Sequence, residues 1–201
     1  MPGSYRTLEL STPSGPVVCR LYDAAPGARA LLCVGGVGGG FDSPAADLYP
    51  RLCEELAAEG ARALRVRFRN PVDLSASVAD VLAGVDLLAR LGVERVALLG
   101  HSFGGAVVIA AAARTSLAGT VIALATQSYG AAAAAELGPR CSILLLHGTG
   151  DRVLPDVCSR HVYSIAREPK ELRLLPGVGH TMVEAADDVH DIVTGWLRAK
   201  L

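Results

Sequence analysis

Aromatic residues are scarce in this 201-residue chain: three Phe, one Trp and five Tyr make up 4% of it. Lysine is scarcer still, since 17 of the 19 basic residues are Arg, a compositional bias rather than a binding feature. Neither sign of charge is in excess, with 19 Lys and Arg against 20 Asp and Glu. Lacking a basic field, the chain is expected to hold neither nucleic acid nor an anionic membrane surface. Long apolar runs are missing as well. The nearest, residues 103–113, ends at Arg114 and is too short to span a bilayer. The start, Met1-Pro2-Gly3-Ser4-Tyr5-Arg6, lacks the basic and then apolar regions of a signal peptide. The five cysteines (Cys19, Cys33, Cys53, Cys141 and Cys158) form no Cys-x-x-Cys pair. Neither a disulfide framework nor a metal site is suggested, and buried thiols in a reducing cytoplasm are expected. No internal repeat is visible, which removes solenoids.

What the chain has is small apolar residues: 51% is hydrophobic, with 32 Ala and 22 Gly. Residues 1–201 read as a single domain, long enough to bury roughly 70% of the surface of its unfolded chain. Strand-like and helix-like stretches alternate. Residues 6–10 and 16–22 read as strands joined across Thr12-Pro13-Ser14-Gly15, a hairpin turn. Further strands are expected at 30–34, 61–68, 95–99, 119–125, 142–147 and 171–174. Helices are expected at 48–58, 75–91, 103–114, 155–167 and 183–199. In residues 75–91, Val78, Val81, Leu82, Val85 and Leu88 recur at three and four, giving one apolar face. Residues 130–138, with five consecutive alanines, read equally as a short helix or a loop. The fold class is therefore α/β: a mostly parallel eight-stranded sheet with helices on both faces. Ligands in such a sheet bind beyond the carboxyl ends of the strands, so the chemistry is sought there.

Behind the strand at 95–99 stands Gly100-His101-Ser102-Phe103-Gly104-Gly105, then an Ala/Val helix. This is G-x-S-x-G between a strand and a helix, where side chains at Gly100 and Gly104 would collide with neighbouring backbone. It sets Ser102 at a helix N-terminus, which favours nearby negative charge. A serine hydroxyl is a weak nucleophile until a base takes its proton and a third group orients that base. Gly148-Thr149-Gly150-Asp151 follows the strand at 142–147, and Gly177-Val178-Gly179-His180 follows the last strand. Asp156 is a rival acid, but it is expected inside the next helix. The loop Thr126-Gln127-Ser128-Tyr129, after the sixth strand, holds no carboxylate. Among the other histidines, His101 belongs to the turn and is expected to point away from Ser102. His147 reads as structural, and His161 and His190 as surface or packing residues within helices.

Ser102, Asp151 and His180 stand in the chain order of the α/β-hydrolases, and from first strand to last helix the chain resembles a serine hydrolase of that fold. His147-Gly148-Thr149-Gly150-Asp151-Arg152-Val153-Leu154-Pro155 is similar to the acid loop of the family. The resemblance implies Ser102 as nucleophile, His180 as base and then acid, and Asp151 as its orienting partner, with no metal and no cofactor. It also implies an oxyanion hole, whose donors are each worth about 10²–10³ in rate. One donor is expected from the Phe103 N–H and the other from Gly35-Gly36-Val37-Gly38-Gly39-Gly40, either at Val37 or at Gly36. The chain departs from the family in carrying Gly35 where a His is usual. The glycine run fits neither G-x-G-x-x-G nor a P-loop, so it is not read as a nucleotide site.

Only residues 126–141 separate the sixth strand from the seventh, too few for a lid domain. An open cleft is expected, like those of capless esterases, acyl-thioesterases and the dienelactone-hydrolase group. The last often uses a cysteine nucleophile, whereas this turn holds Ser102. Arg65, Arg67 and Arg69 alternate along the fourth strand: either they extend along the sheet and reach solvent or helix carbonyls, or Arg69 at its end faces the cleft and binds an anionic group of the substrate. Gln127 and Tyr129 are expected to line the pocket. The partner is a small-molecule substrate, and the expected reaction is hydrolysis of a small-to-medium ester or thioester through an acyl-serine. A silent scaffold that binds a partner or ligand, and amide cleavage or perhydrolysis on the same residues, stand as alternatives.

Overall fold

In the computed structural model, which describes residues 5–23 and 27–201, eight strands form one sheet. A hairpin opens it: β1 (Arg6–Leu10) and β2 (Val17–Tyr22) pair antiparallel, with Leu10 opposite Val17. Gly15 closes the turn at φ 106, a left-handed backbone that glycine adopts freely, and its N–H bonds the Thr12 carbonyl at 3.0 Å. Then follow β3 (Arg29–Val34), β4 (Arg62–Val66), β5 (Arg95–His101), β6 (Ala118–Leu124), β7 (Ser142–Gly148) and β8 (Lys170–Leu175). The spatial order is β1-β2-β4-β3-β5-β6-β7-β8, and from β4 to β8 every neighbouring pair is parallel.

Helices cover both faces. On one lie α2 (Leu74–Arg90), α3 (Phe103–Ala112) and α4 (Val157–Ile165); on the other lie α1 (Pro44–Ala58) and α5 (Ala186–Lys200). Strand side chains alternate between the two cores: Leu32 and Val34 join the first, Leu31 and Cys33 the second. A strand buried on both faces must be apolar at every position, which is why the periodicity of two disappears from its sequence. All ten residues of α3 are buried, most of them Ala, Val or Gly. On α2, a methyl at Gly84 would stand 3.0 Å from Leu32 Cδ1 and Val66 Cγ2. Small residues thus let these helices lie close on the sheet. Four of the five thiols are buried, and desolvation pushes Cys19 up to about 12 and Cys141 up to about 11, far from reactive.

Boundaries moved for identifiable reasons. Strand β4 stops at Val66 instead of 68, although the Arg67 N–H still reaches the Val18 carbonyl at 3.0 Å. Helix α1 begins at Pro44, but Ala45, Ala46 and Asp47 are left-handed at φ 49, 48 and 62, so regular helix starts at Leu48. The Ala45 N–H bonds the Thr181 carbonyl at 2.7 Å, tying this start to the loop of His180. The alanine run resolves as a 3-10 turn at Ala132–Glu136, with Ala131, Ala134 and Leu137 buried. Another 3-10 turn, Val183–Ala185, precedes α5.

Strands β3 and β5 are neighbours whose following helices, α1 and α3, lie on opposite faces. Their connections part there and open a crevice at the strand ends.

Candidate active site

Both connections at this crevice carry expected site residues. Ser102 sits between β5 and α3 at φ 58, ψ −119, a conformation that costs a non-glycine residue about 1–3 kcal/mol. It is over-determined. The Ser102 N–H bonds the Leu124 carbonyl at 2.8 Å, while its carbonyl accepts from Gly105 at 3.1 Å and Gln127 at 3.4 Å. The glycines stand where anything larger fails: a methyl at Gly100 would overlap the Gly104 carbonyl, and one at Gly104 would overlap the Gly35 carbonyl.

Three loops bring Ser102, His180 and Asp151 into one chain of hydrogen bonds. His180 Nε2 lies 3.0 Å from Ser102 Oγ, and His180 Nδ1 lies 2.6 Å from Asp151 Oδ2. Asp151 Oδ1 accepts the N–H groups of Val153 at 2.8 Å and Leu154 at 2.9 Å. Burial works to raise the Asp151 carboxyl, but the bonds from His180, Leu154 and Val153 outweigh it and hold the group below its ordinary 3.8. With a carboxylate on Nδ1, that nitrogen carries the ring proton and Nε2 faces the serine as acceptor.

Two further histidines support this chain, and sequence reasoning gave neither that place. His147, fully buried, has Nε2 at 3.0 Å from the Leu154 carbonyl and 3.2 Å from Asp151 Oδ2. Its Nδ1 lies 2.7 Å from Ser159 Oγ. Two acceptors at Nε2 put the proton there, so Nδ1 accepts from the Ser159 hydroxyl. His101 gives its Nε2–H to the His180 carbonyl at 2.9 Å, and the two rings lie 4.8 Å apart. It was expected to point away from Ser102; it lies against the imidazole that contacts Ser102. The four-residue spacing of His147 and Asp151 was the one available signal for the former. His161 is exposed on α4, and His190 on α5 pairs with Glu55 at 2.9 Å.

The loop after β3 runs past the serine, and a methyl at Gly36 would meet Ser102 Cβ at 3.4 Å. A side chain at Gly35 would overlap the Asp42 carboxylate, so the histidine usual there has no room. Asp42 also changes the expected donor set. The Gly36 N–H lies 3.2 Å from Asp42 Oδ2, which removes Gly36 as an oxyanion donor. The Val37 N–H has no acceptor among the described residues. The Phe103 N–H, first in α3, precedes any intrahelical acceptor.

The sequence profile of the dienelactone hydrolase family matches residues 31–193. The chain belongs to that family. It is a hydrolase, and its fold recurs among solved structures. A dienelactone hydrolase from Anabaena variabilis shares 17% identity, with 100% of each chain covered and a TM-score of 0.84. Est1E from Butyrivibrio proteoclasticus, solved with ferulic acid bound, shares 17% identity over 96% of this chain and 98% of its own, at a TM-score of 0.80. An α/β serine hydrolase without a lid, from Xanthomonas campestris, shares 19% identity over 99% and 96%, at a TM-score of 0.77. No curated protein matches the chain in sequence.

In this dienelactone hydrolase family member a cleft of about 630 Å³ lies beside the turn, lined by Val37 and Phe103. Gln127 and Tyr129 line it, and Gln127 Nε2 bonds the Tyr129 carbonyl at 2.8 Å. The opposite wall, Val72, Asp73, Leu74 and Ser75, was not foreseen. It comes from the start of α2, and nothing in its sequence distinguishes it from an ordinary helix cap.

Arg69 was expected in this cleft and is elsewhere. Its Nε pairs with the fully buried Asp80 at 2.6 Å, and its backbone N–H reaches the same carboxylate at 2.8 Å. A buried carboxylate on α2 needs a cation, and Arg69 supplies it. Arg65 is buried and bonds the Phe41 carbonyl, while Arg67 is exposed. Among the described residues, no group of three or more His, Cys, Asp or Glu is placed to hold a metal ion. Among the described residues, no helix is long and apolar enough to cross a membrane.

Burial holds the His101 imidazole down from 6.5 to about 4. The unfolded chain therefore takes up this proton near 6.5 while the folded chain refuses it until about 4, and stability falls as pH drops through that window. Asp151 adds to the loss below its ordinary 3.8, because its stabilising bonds disappear on protonation. Urea unfolding at about pH 7, 5.5 and 4 is expected to show midpoints that decline steadily, with a loss of about 3 kcal/mol from His101. His101→Gln is expected to flatten that slope. An unchanged slope in the variant assigns the pH dependence to another group.

Proposed function

We propose that this hydrolase cleaves esters or thioesters of small-to-medium acyl groups through an acyl-Ser102 intermediate. The observation that carries the reading is the hydrogen-bonded chain from Ser102 Oγ through His180 to Asp151, at 3.0 and 2.6 Å. His180 Nε2 takes the hydroxyl proton as Oγ attacks the carbonyl carbon. Asp151 keeps the imidazole in the tautomer that can do so and stabilises the imidazolium that forms. The N–H groups of Phe103 and Val37 are the proposed donors to the tetrahedral oxyanion, fixed before the charge develops. His180 then gives its proton to the leaving group. Water, activated by the same imidazole, attacks the acyl group and restores the serine.

This sequence of steps calls for no metal or cofactor and for no partner beyond a small-molecule substrate. A cytoplasmic location belongs to the same reading, supported by five unpaired cysteines. A fluorophosphonate probe tests the mechanism. Wild-type protein is expected to be labelled and Ser102→Ala is not. Equal labelling of both removes Ser102 as the nucleophile, and labelling of neither favours a silent scaffold.

A further inference from the structure

The cleft beside Ser102 is apolar at Val37, Val72, Leu74, Phe103 and Tyr129, and the one charged residue lining it among the described residues is Asp73. Among the described residues, no Arg, Lys or His shares the lining. The bare N-terminus of a helix as long as α2 would attract an anion. Here the position is already filled, because Asp73 Oδ1 accepts the Ala76 N–H at 3.0 Å and caps α2 with its own negative charge. The cation closest along the chain, Arg69, is held by Asp80 at 2.6 Å. An anionic group entering the cleft would meet a carboxylate and no counter-charge. The rim points the other way. Val37, Val72 and Tyr129 are 56%, 75% and 81% exposed, a cluster of apolar surface that an apolar ligand would cover.

We infer that the cleft takes esters whose acyl group is uncharged and apolar, and that Asp73 turns away acyl groups carrying a carboxylate. The inference rests on the acyl-Ser102 reading above and reverses the anion preference that Arg69 had suggested.

Two esters with one leaving group and acyl chains of equal length test it: p-nitrophenyl butyrate and mono-p-nitrophenyl succinate, at low ionic strength. The butyrate is expected to have the higher kcat/KM by about tenfold, and added salt is expected to narrow that ratio. Asp73→Asn preserves the helix cap and removes the charge, so it is expected to narrow the ratio by about threefold or more. Equal or faster cleavage of the succinate by wild type overturns the inference. So does a ratio that Asp73→Asn leaves untouched. If neither ester is cleaved, the rates at which a neutral and a carboxylate-bearing alkyl fluorophosphonate label Ser102 supply the same comparison. Labelling without discrimination overturns the charge selectivity alone, whereas no labelling overturns the acyl-Ser102 reading and the selectivity with it.

Discussion

Ser102→Ala is expected to lower kcat/KM for p-nitrophenyl acetate by about 10⁴–10⁶-fold, with the fold retained. Alanine keeps the Cβ that already sits at φ 58 and leaves the backbone bonds to Leu124, Gly105 and Gln127 in place. Only the hydroxyl 3.0 Å from His180 Nε2 is lost. Residual activity is expected from oxyanion donors and substrate binding, which do not need the nucleophile. Groups that act as a unit are not additive, so His180→Ala in the Ser102→Ala background is expected to change the rate by less than about threefold. Parallel thermal melts check that the variants fold. A Ser102→Ala protein with more than about a hundredth of wild-type activity would mean that the bond is broken some other way.

Arg69→Ala is expected to destabilise the protein by about 3 kcal/mol, since it leaves the fully buried Asp80 carboxylate without a counter-charge. The pair takes Asp80 out of water and returns that cost through two contacts, one from the guanidinium at 2.6 Å and one from the Arg69 N–H at 2.8 Å. Deleting the cation removes only the first, and the desolvated charge remains. Replacing both partners with apolar residues, Arg69→Met with Asp80→Leu, is expected to recover most of the loss. Urea unfolding of the single and double variants measures this. Should Arg69→Ala unfold at the wild-type midpoint, the pair contributes nothing and Asp80 is satisfied by other means.

The same pair shows where sequence reasoning reached its limit. Arg69 and Asp80 are eleven residues apart, on a loop and a helix, and no periodicity connects them. Their meeting depends on how closely α2 lies on the sheet. The Asp42 carboxylate under Gly35 is invisible for the same reason: a loop folds back to fill a space that the sequence records only as a missing side chain. Local constraints, by contrast, were legible. Gly100 and Gly104 flank Ser102 because the turn leaves room for nothing larger, so the motif marks its own geometry. The order Ser102, Asp151, His180 follows from the order of strands, and the strands announce themselves as apolar runs. The start of α1 was read at Leu48, where regular helix begins, because apolar spacing reports helical backbone and is blind to the left-handed residues Ala45 to Asp47. The supporting histidines fell between these cases. His147 and His101 each sit beside a motif, but their partners are a buried carboxylate and a main-chain carbonyl that only the folded chain brings near.

Between β6 and β7 the chain spends little length, crossing from Ala125 to Cys141 with one 3-10 turn and no lid over the crevice. On the proposed mechanism the acyl group on Ser102 therefore faces bulk solvent for its whole lifetime. Any competing alcohol or amine must reach it ahead of water, which disfavours acyl transfer to other acceptors. Nor does a closing segment have to open before products leave. The rate-limiting event is then bond-making or bond-breaking at the carbonyl, and turnover should respond to leaving-group basicity and hardly at all to solvent viscosity.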